Sequence, residues 1–166
     1  ISQRVSTSIL QPKALQKALM RADVVIGALR ADEGRTPCVV SEEMVKKMKS
    51  GAVIVDVSID QGGCFEPSKA TTHQDPVYVI DDVVHYCVAN MPGGVARTST
   101  MALNNATLPF GLALANKGPA NAMLEDKHLL NGLNVHEGKV TYKAVVDALG
   151  EKLGLTYTPA EEALKG

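Results

Sequence analysis

The segment AVIVDVSIDQGG, residues 52–63, joins an apolar run to a polar, glycine-containing end. Five of its first six residues are apolar and most of them are β-branched, which is typical of a strand buried on both faces in the middle of a parallel sheet. Ligands of open α/β sheets bind at the carboxyl ends of the strands. Asp60 therefore lies where a functional carboxylate is expected, and Gly62 and Gly63 would let a ligand approach the backbone.

The residues before this strand predict two βα units. Residues 3–8 fit a short strand or an extended lead-in, residues 12–20 an amphipathic helix, and residues 24–28 a second buried strand. Ser41 is suited to cap a further helix, which Gly51 would end. The connections are short enough for parallel pairing.

Two β-rich runs follow an irregular stretch. Residues 77–80 and 83–88 flank Asp81-Asp82, a spacing that fits a tight hairpin or two short edge strands. A glycine-containing loop, residues 89–94, comes directly after the second run. The sequence to this point predicts an α/β half-domain with a ligand crevice at one edge of its sheet.

A long helix is predicted from Thr98 or Ser99, either of which could cap it, to about Asn116. Apolar residues nearly encircle it, so we expect it to be buried between layers or domains, with a kink or break at Pro109. The more polar remainder predicts helices at 122–130, 142–153 and 160–164, with a loop or hairpin at 132–142. This remainder has too little apolar content for a core of its own.

The charge, the apolar runs and the cysteines of the sequence bear on its binding partners and its compartment. The net charge of −1 and the absence of a basic patch give no electrostatic argument for a nucleic acid or an acidic membrane. No apolar run approaches the roughly 18 residues that span a bilayer. The three cysteines match neither a disulfide framework nor a metal site, which favours a reducing compartment, and Cys87 is expected in the core.

Several side chains could carry chemistry. Asp60 is either a turn or cap residue or a carboxylate that bonds a ligand and moves protons, whereas Asp56 is expected to bond nearby backbone. Asn90 could hold a carboxamide or a ribose hydroxyl, or serve its own loop. His85 is expected to be a sheet histidine whose hydrogen bonds are satisfied, and His73 has no carboxylate at a fixed spacing. The sequence contains no glycine-rich dinucleotide motif and no zinc-protease or phosphate-loop motif.

Several segments in order resemble alanine dehydrogenase. They are ADVVIGA at 22–28, VDVSIDQGGC at 55–64, residues 76–88, VANMP at 88–92, RTST at 97–100, ALNNATLP at 102–109 and GKVTY at 138–142. Transhydrogenase domain I shares the fold, but the IDQGG loop at 59–63 is more similar to alanine dehydrogenase. The resemblance covers essentially the whole chain.

This resemblance implies an NAD-dependent enzyme that reversibly deaminates L-alanine to pyruvate and ammonia. Asp60 matches the family's active-site aspartate, which assists the imine and carbinolamine steps. The positions that match cofactor contacts are Leu29, Val57, Ser58, Ile59, Asp60, Val88, Ala89, Asn90 and Met91. Arg30 departs from the apolar residue expected beside Leu29, which leaves the adenosine-side contacts open. No metal is implied.

The resemblance further implies that this chain is a C-terminal portion. Residues 1–97 would be the second half of a Rossmann-like NAD-binding domain, 98–117 a connecting helix, and 118–166 a segment that packs on an N-terminal substrate domain. The substrate-binding Arg and Lys, the catalytic His and the glycine-rich loop would lie upstream, so neither His73 nor His85 takes those roles. The family implies a cytoplasmic hexamer.

Two other functions stay open. One is a non-catalytic NAD(H)-binding module of the transhydrogenase type, which an effect of L-alanine on the bound cofactor would argue against. The other is an inert fragment, because half a cofactor domain lacks the pyrophosphate site.

Overall fold

The computed structural model describes residues 5–31 and 34–165. The chain divides into two compact units, Ile1–Gly94 and Val95–Gly166. Residues 3–4 of the predicted lead-in lie outside the described part, and residues 5–8 belong to no helix or strand. The first unit contains helices α1 (Pro12–Leu19) and α2 (Glu42–Val45) and strands β1 (Val24–Gly27), β2 (Val53–Asp56), β3 (Val77–Ile80) and β4 (Val83–Tyr86).

The first unit is built on a four-stranded sheet in the order β1-β2-β4-β3. β1, β2 and β4 are parallel, and β3 pairs antiparallel with β4. The turn between β3 and β4 holds Asp81 and Asp82 at φ 51° and 60°, the left-handed conformation that suits the twist of a tight hairpin. The predicted parallel α/β sheet and the predicted hairpin are both confirmed.

One face of this sheet is covered. Ile54 and Val83 are fully buried under side chains of α1, α2 and the segment after β2, among them Leu19, Val45 and Phe65. Ser41 caps α2 as predicted, since its Oγ accepts from the Met44 N–H at 3.3 Å. The hydrophobic core formed by the described residues of the unit therefore lies on this face.

The opposite face is open. Val24, Ile26 and Val79 are 57%, 66% and 60% exposed, and the central Val53 and Val55 are half-buried. The prediction that residues 24–28 form a buried strand, and residues 52–57 a strand buried on both faces, is wrong on this side. The physical reason is that β1 is an edge strand and that helices α1 and α2 of the first unit both pack on the other face.

The second unit is mostly helical. Its elements are α3 (Ala96–Lys117), α4 (Pro119–Glu125), α5 (Lys127–Asn131), β5 (Val135–His136), β6 (Lys139–Val140), α6 (Lys143–Leu153) and α7 (Ala160–Lys165). β5 and β6 form the hairpin that the sequence allowed. α6 ends at Leu153, as predicted, and Gly154 follows in the left-handed conformation. The predicted helix at 122–130 is two helices, because Asp126 leaves the helical conformation and accepts from the His128 N–H at 2.8 Å.

The long helix departs from prediction in three respects. It begins at Ala96, after Val95, with no side-chain cap, so neither Thr98 nor Ser99 opens it. It is continuous through Pro109, so the break that the sequence allowed there does not occur, and the alternative of a kink stays a prediction. No residue of α3 is buried, against the expectation of a helix packed between layers, because the apolar surface that encircles it has no covering layer in its unit.

Candidate functional site

The end of β2 is organised by a buried carboxylate. Asp56 accepts hydrogen bonds from the backbone N–H groups of Ser58 at 3.2 Å and Cys64 at 3.1 Å, which ties both ends of the following loop to the strand. A Cβ on Gly63, which has φ 74°, would come within 2.7 Å of Asp56 Oδ2. Asp56 therefore has the structural role that its sequence position predicted.

This carboxylate also affects a neighbouring thiol. Cys64 Sγ lies 3.6 Å from Asp56 Oδ1, and both side chains are buried. Burial, followed by the negative charge of Asp56, raises the pKa of the Cys64 thiol to about 11. Cys64 is accordingly a neutral packing residue at physiological pH, and nucleophilic chemistry there is not expected.

Asp60 lies on a single 3₁₀ turn, Val57–Gln61, directly after β2. The turn is closed by Gly62, which has φ 105° and donates to the Ile59 carbonyl at 3.1 Å. Asp60 and Val57 are exposed, whereas Ser58 and Ile59 are buried. The turn thus presents the Asp60 carboxylate to solvent at the carboxyl edge of the sheet, where the sequence placed it.

A short hydrogen bond joins the ends of β1 and β2. The Ser58 hydroxyl donates to the Leu29 carbonyl at 2.6 Å across a separation of 29 residues. Leu29 and the adjacent Arg30 keep exposed side chains. The structure therefore brings Leu29 and Ser58 together. The buried Ser58 hydroxyl uses its proton in this hydrogen bond, which links the ends of the two strands.

The third part of this edge is the loop after β4, residues 88–91. Val88 is buried and Met91 half-buried, whereas Ala89 and Asn90 are exposed. The Asn90 Oδ1 accepts from the Gly93 N–H at 3.2 Å, which leaves the Nδ2 protons as the donors that this side chain can offer to a ligand. Because β2 and β4 are parallel neighbours, the Asp60 turn and the Asn90 loop lie at the same edge of the sheet.

Two side chains at this edge make contacts that the sequence did not predict. Arg35 lies against Gly62, and the neighbouring Thr36 N–H donates to the Gln61 carbonyl at 2.9 Å. His73 Nε2 lies 2.6 Å from the Asn90 carbonyl oxygen. Both pairings join loops that are distant in sequence, and no spacing or motif signals them.

His85 is buried in the sheet, as predicted. Its ring stacks on Tyr78 with a centroid separation of 5.0 Å and an interplanar angle of 8°. Neither ring nitrogen has a hydrogen-bond partner among the described residues, so the prediction that its hydrogen bonds are satisfied is wrong. Burial lowers the pKa of His85, and the negative charge of Asp56 opposes that shift only in part. His85 is therefore a neutral core residue on the covered face, away from the exposed edge.

The described part of the chain contains no cluster of three or more histidine, cysteine, aspartate or glutamate side chains that could hold a metal ion. None of its helices is both long and apolar enough to cross a membrane.

Comparison with known proteins identifies the family. The family model described as alanine dehydrogenase/PNT, C-terminal domain, matches residues 1–143. The chain belongs to this family. The chain is similar to an alanine dehydrogenase of Halomonas elongata. The two are 55% identical over 147 residues, which cover 89% of this chain and 40% of the relative. An alanine dehydrogenase of Staphylococcus haemolyticus is 51% identical over 163 residues, covering 98% of this chain and 43% of the relative.

A comparison with solved structures supports the same family. An L-alanine dehydrogenase structure matches with a TM-score of 0.74 and 42% identity, over 86% of this chain and 39% of that one. The Rossmann-like α/β fold expected from the sequence is thereby confirmed. The chain spans about two fifths of the length of the curated relatives it matches.

Proposed function

We propose that this chain is the C-terminal portion of an NAD-dependent alanine dehydrogenase, which converts L-alanine reversibly to pyruvate and ammonia. The observation that carries the proposal is the placement of an exposed carboxylate, Asp60, and an exposed amide, Asn90, after adjacent parallel strands at one sheet edge. Its support is the family membership and the identity of about half of all residues with enzymes of that name.

The residues at this edge fit the nicotinamide and ribose end of NAD. The Asp60 carboxylate can accept from ribose hydroxyls, and the Asn90 Nδ2 protons can donate to a carboxamide oxygen. Leu29, Val57 and Ala89 offer exposed side chains around them, while the buried Ser58, Ile59 and Val88 would contribute through backbone groups. The dinucleotide, when bound, supplies the hydride acceptor of the reaction.

Asp60 is proposed to act on protons and water at the substrate Cα. An exposed carboxylate on a turn anchored by Asp56 and Ser58 is held in place yet free to accept a proton from the attacking water. It would also stabilise the cationic imine by charge. Asp60 is the one catalytic residue that we assign to this chain.

The other catalytic, substrate-binding and cofactor-binding residues are proposed to lie in the rest of the polypeptide. In this proposal residues 1–97 complete the NAD-binding domain, residues 98–117 connect the domains, and residues 118–166 pack on the substrate domain. The exposed apolar side chains of α3 support an assembled protein, for which the family resemblance suggests a homo-hexamer. The three free thiols support a cytoplasmic location.

The test is L-alanine-dependent NADH formation, measured by absorbance with NAD in excess. We expect none from the 166-residue chain alone and a clear rate from the polypeptide that carries it. In that enzyme Asp60→Asn should lower turnover by about a hundredfold or more with NAD affinity nearly unchanged, the usual scale for a positioned acid–base group.

The matched control is Asp82→Asn. Asp82 is also exposed but lies at the amino edge of the sheet, where its backbone carbonyl accepts from the Gly51 N–H at 2.7 Å. Asparagine tolerates its positive φ. This variant should keep wild-type turnover. Near wild-type turnover of Asp60→Asn would remove Asp60 from the mechanism, and a wild-type enzyme inactive with L-alanine would refute the proposed reaction.

A further inference from the structure

The segment that carries His73 runs alongside the Asn90 loop. The Thr71 N–H donates to the Cys87 carbonyl at 2.9 Å, and the Ala89 N–H donates to the Thr71 carbonyl at 3.3 Å. Thr71 thus forms a parallel bridge with Val88 at the point where β4 has ended. This pairing places the residues that follow Thr71 beside the residues that follow Val88.

Thr71 also closes its own loop. Its hydroxyl donates to the Pro76 carbonyl at 3.0 Å, and the Asp75 N–H donates to the Thr72 hydroxyl at 3.3 Å. The turn around His73 is therefore fastened at both ends, which gives the imidazole a defined position over the neighbouring loop.

His73 makes one short contact with that loop. Its Nε2 lies 2.6 Å from the Asn90 carbonyl oxygen, and the same oxygen accepts from the Gly93 N–H at 3.1 Å. Because a carbonyl oxygen only accepts, His73 Nε2 must carry a proton and donate it. The ring also covers the two glycines, since a Cβ on Gly93 or Gly94 would lie 3.3 or 3.4 Å from ring atoms.

We propose that His73 is a positioning residue for the cofactor, acting through Asn90; this inference rests on the proposed function. Asn90 is exposed, and two of the four residues that follow it, Gly93 and Gly94, carry no side chain that could hold the loop. The His73 hydrogen bond holds the Asn90 backbone while the Gly93 N–H holds the Asn90 side chain, and together they fix the direction of the Nδ2 protons. A loop ordered before binding costs less free energy to order during binding.

Three variants distinguish loss of the His73 hydrogen bond from loss of side-chain volume and from failure to fold. His73→Leu removes the donor, whereas His73→Gln restores an amide donor at nearly the same distance from the backbone as Nε2. Gln74→Leu is the matched control, because Gln74 is the next exposed residue of the same loop. The loss of one neutral hydrogen bond corresponds to about a three- to tenfold effect.

In the enzyme that carries this chain, we expect His73→Leu to raise the KM for NAD about three- to tenfold and to change kcat at saturating NAD less than about twofold. His73→Gln should return the KM to within about twofold of wild type, and Gln74→Leu should leave both constants unchanged. An unchanged KM in His73→Leu, an equal loss of kcat, or a failure of glutamine to rescue would each overturn the inference.

A second measurement on the 166-residue chain itself is independent of catalysis. Nitrogen-15 NMR should show His73 with a protonated Nε2, and the Gly93 amide should exchange at least about threefold faster in His73→Leu. Should the wild-type enzyme form no NADH from L-alanine, the proposed function fails, and unchanged Gly93 exchange would then separately show that His73 does not hold the loop.

Discussion

The two faces of the four-stranded sheet are made of the same kinds of residue and have opposite surroundings. Ile54 on one face is fully buried, whereas Ile26, which pairs with the adjacent Val55, is 66% exposed on the other. Valines follow the same division, with Val83 buried and Val79 exposed. The difference shows that residue type makes a strand, while burial depends on whether a second layer is present.

The strongest way to test this comparison is truncation of one isoleucine on each face. Ile54→Ala should lower the free energy of unfolding by about 2–5 kcal/mol, because it leaves a cavity in the core. Ile26→Ala should lower it by less than about 1 kcal/mol, since its side chain is largely in solvent already. Hydrogen exchange of the Val84 amide, which donates to the Ala52 carbonyl at 2.9 Å, measures both. Equal losses would contradict the division into a covered and an open face.

A second test uses the only histidine of the covered face among the described strands, His85. In the unfolded chain a histidine accepts a proton near pH 6.5, whereas burial lowers the pKa of His85 in the folded chain. The unfolded state then binds more protons below pH 6.5, so stability is complete above that pH and falls as the pH decreases. The slope from this one group is at most about 1.4 kcal/mol per pH unit.

His85→Phe keeps a ring that can stack on Tyr78 and removes the titrating group. Urea unfolding followed by circular dichroism between pH 5 and pH 7.5 should show a shallower pH dependence in this variant than in the wild type. His128→Gln changes an exposed histidine and should leave the slope near the wild-type value. A slope that His85→Phe does not change would mean that His85 is not the group responsible.

The smallest expected effect concerns the open face alone. Ile26→Thr together with Val79→Thr keeps β-branched side chains and removes apolar surface, so the free energy of unfolding should change by no more than about 1 kcal/mol. Binding of an apolar dye, read by its fluorescence, should fall, because the exposed patch is the surface such a dye occupies. Undiminished dye binding would place the accessible apolar surface elsewhere, with α3 as the next region to vary.

Much of the fold could be predicted from the sequence because it depends on local chemistry. The apolar run at 53–55 predicts β2, and Asp81-Asp82 between two β-rich runs predicts the hairpin. Ser41 predicts its cap. In each case the residues that decide the structure lie within a few positions of one another.

The errors arose where the outcome depends on distant residues or on packing layers. The burial of β1 and α3 was predicted from apolar composition, which does not reveal whether anything covers them. At the candidate site, the position of Asp60 follows from the strand before it. The contacts of Ser58 with Leu29 and of His73 with Asn90 join segments 29 and 17 residues apart, and only the fold brings them together.

The three cysteines have a practical consequence for spectroscopy. Cys64 and Cys87 are buried, whereas Cys38 is exposed, so alkylating reagents at neutral pH should reach Cys38 first. Cys38 follows the loop in which Arg35 lies against Gly62 and Thr36 bonds the Gln61 carbonyl. A fluorophore attached to the natural Cys38 would therefore report movements of the Asp60 turn without any engineered labelling site.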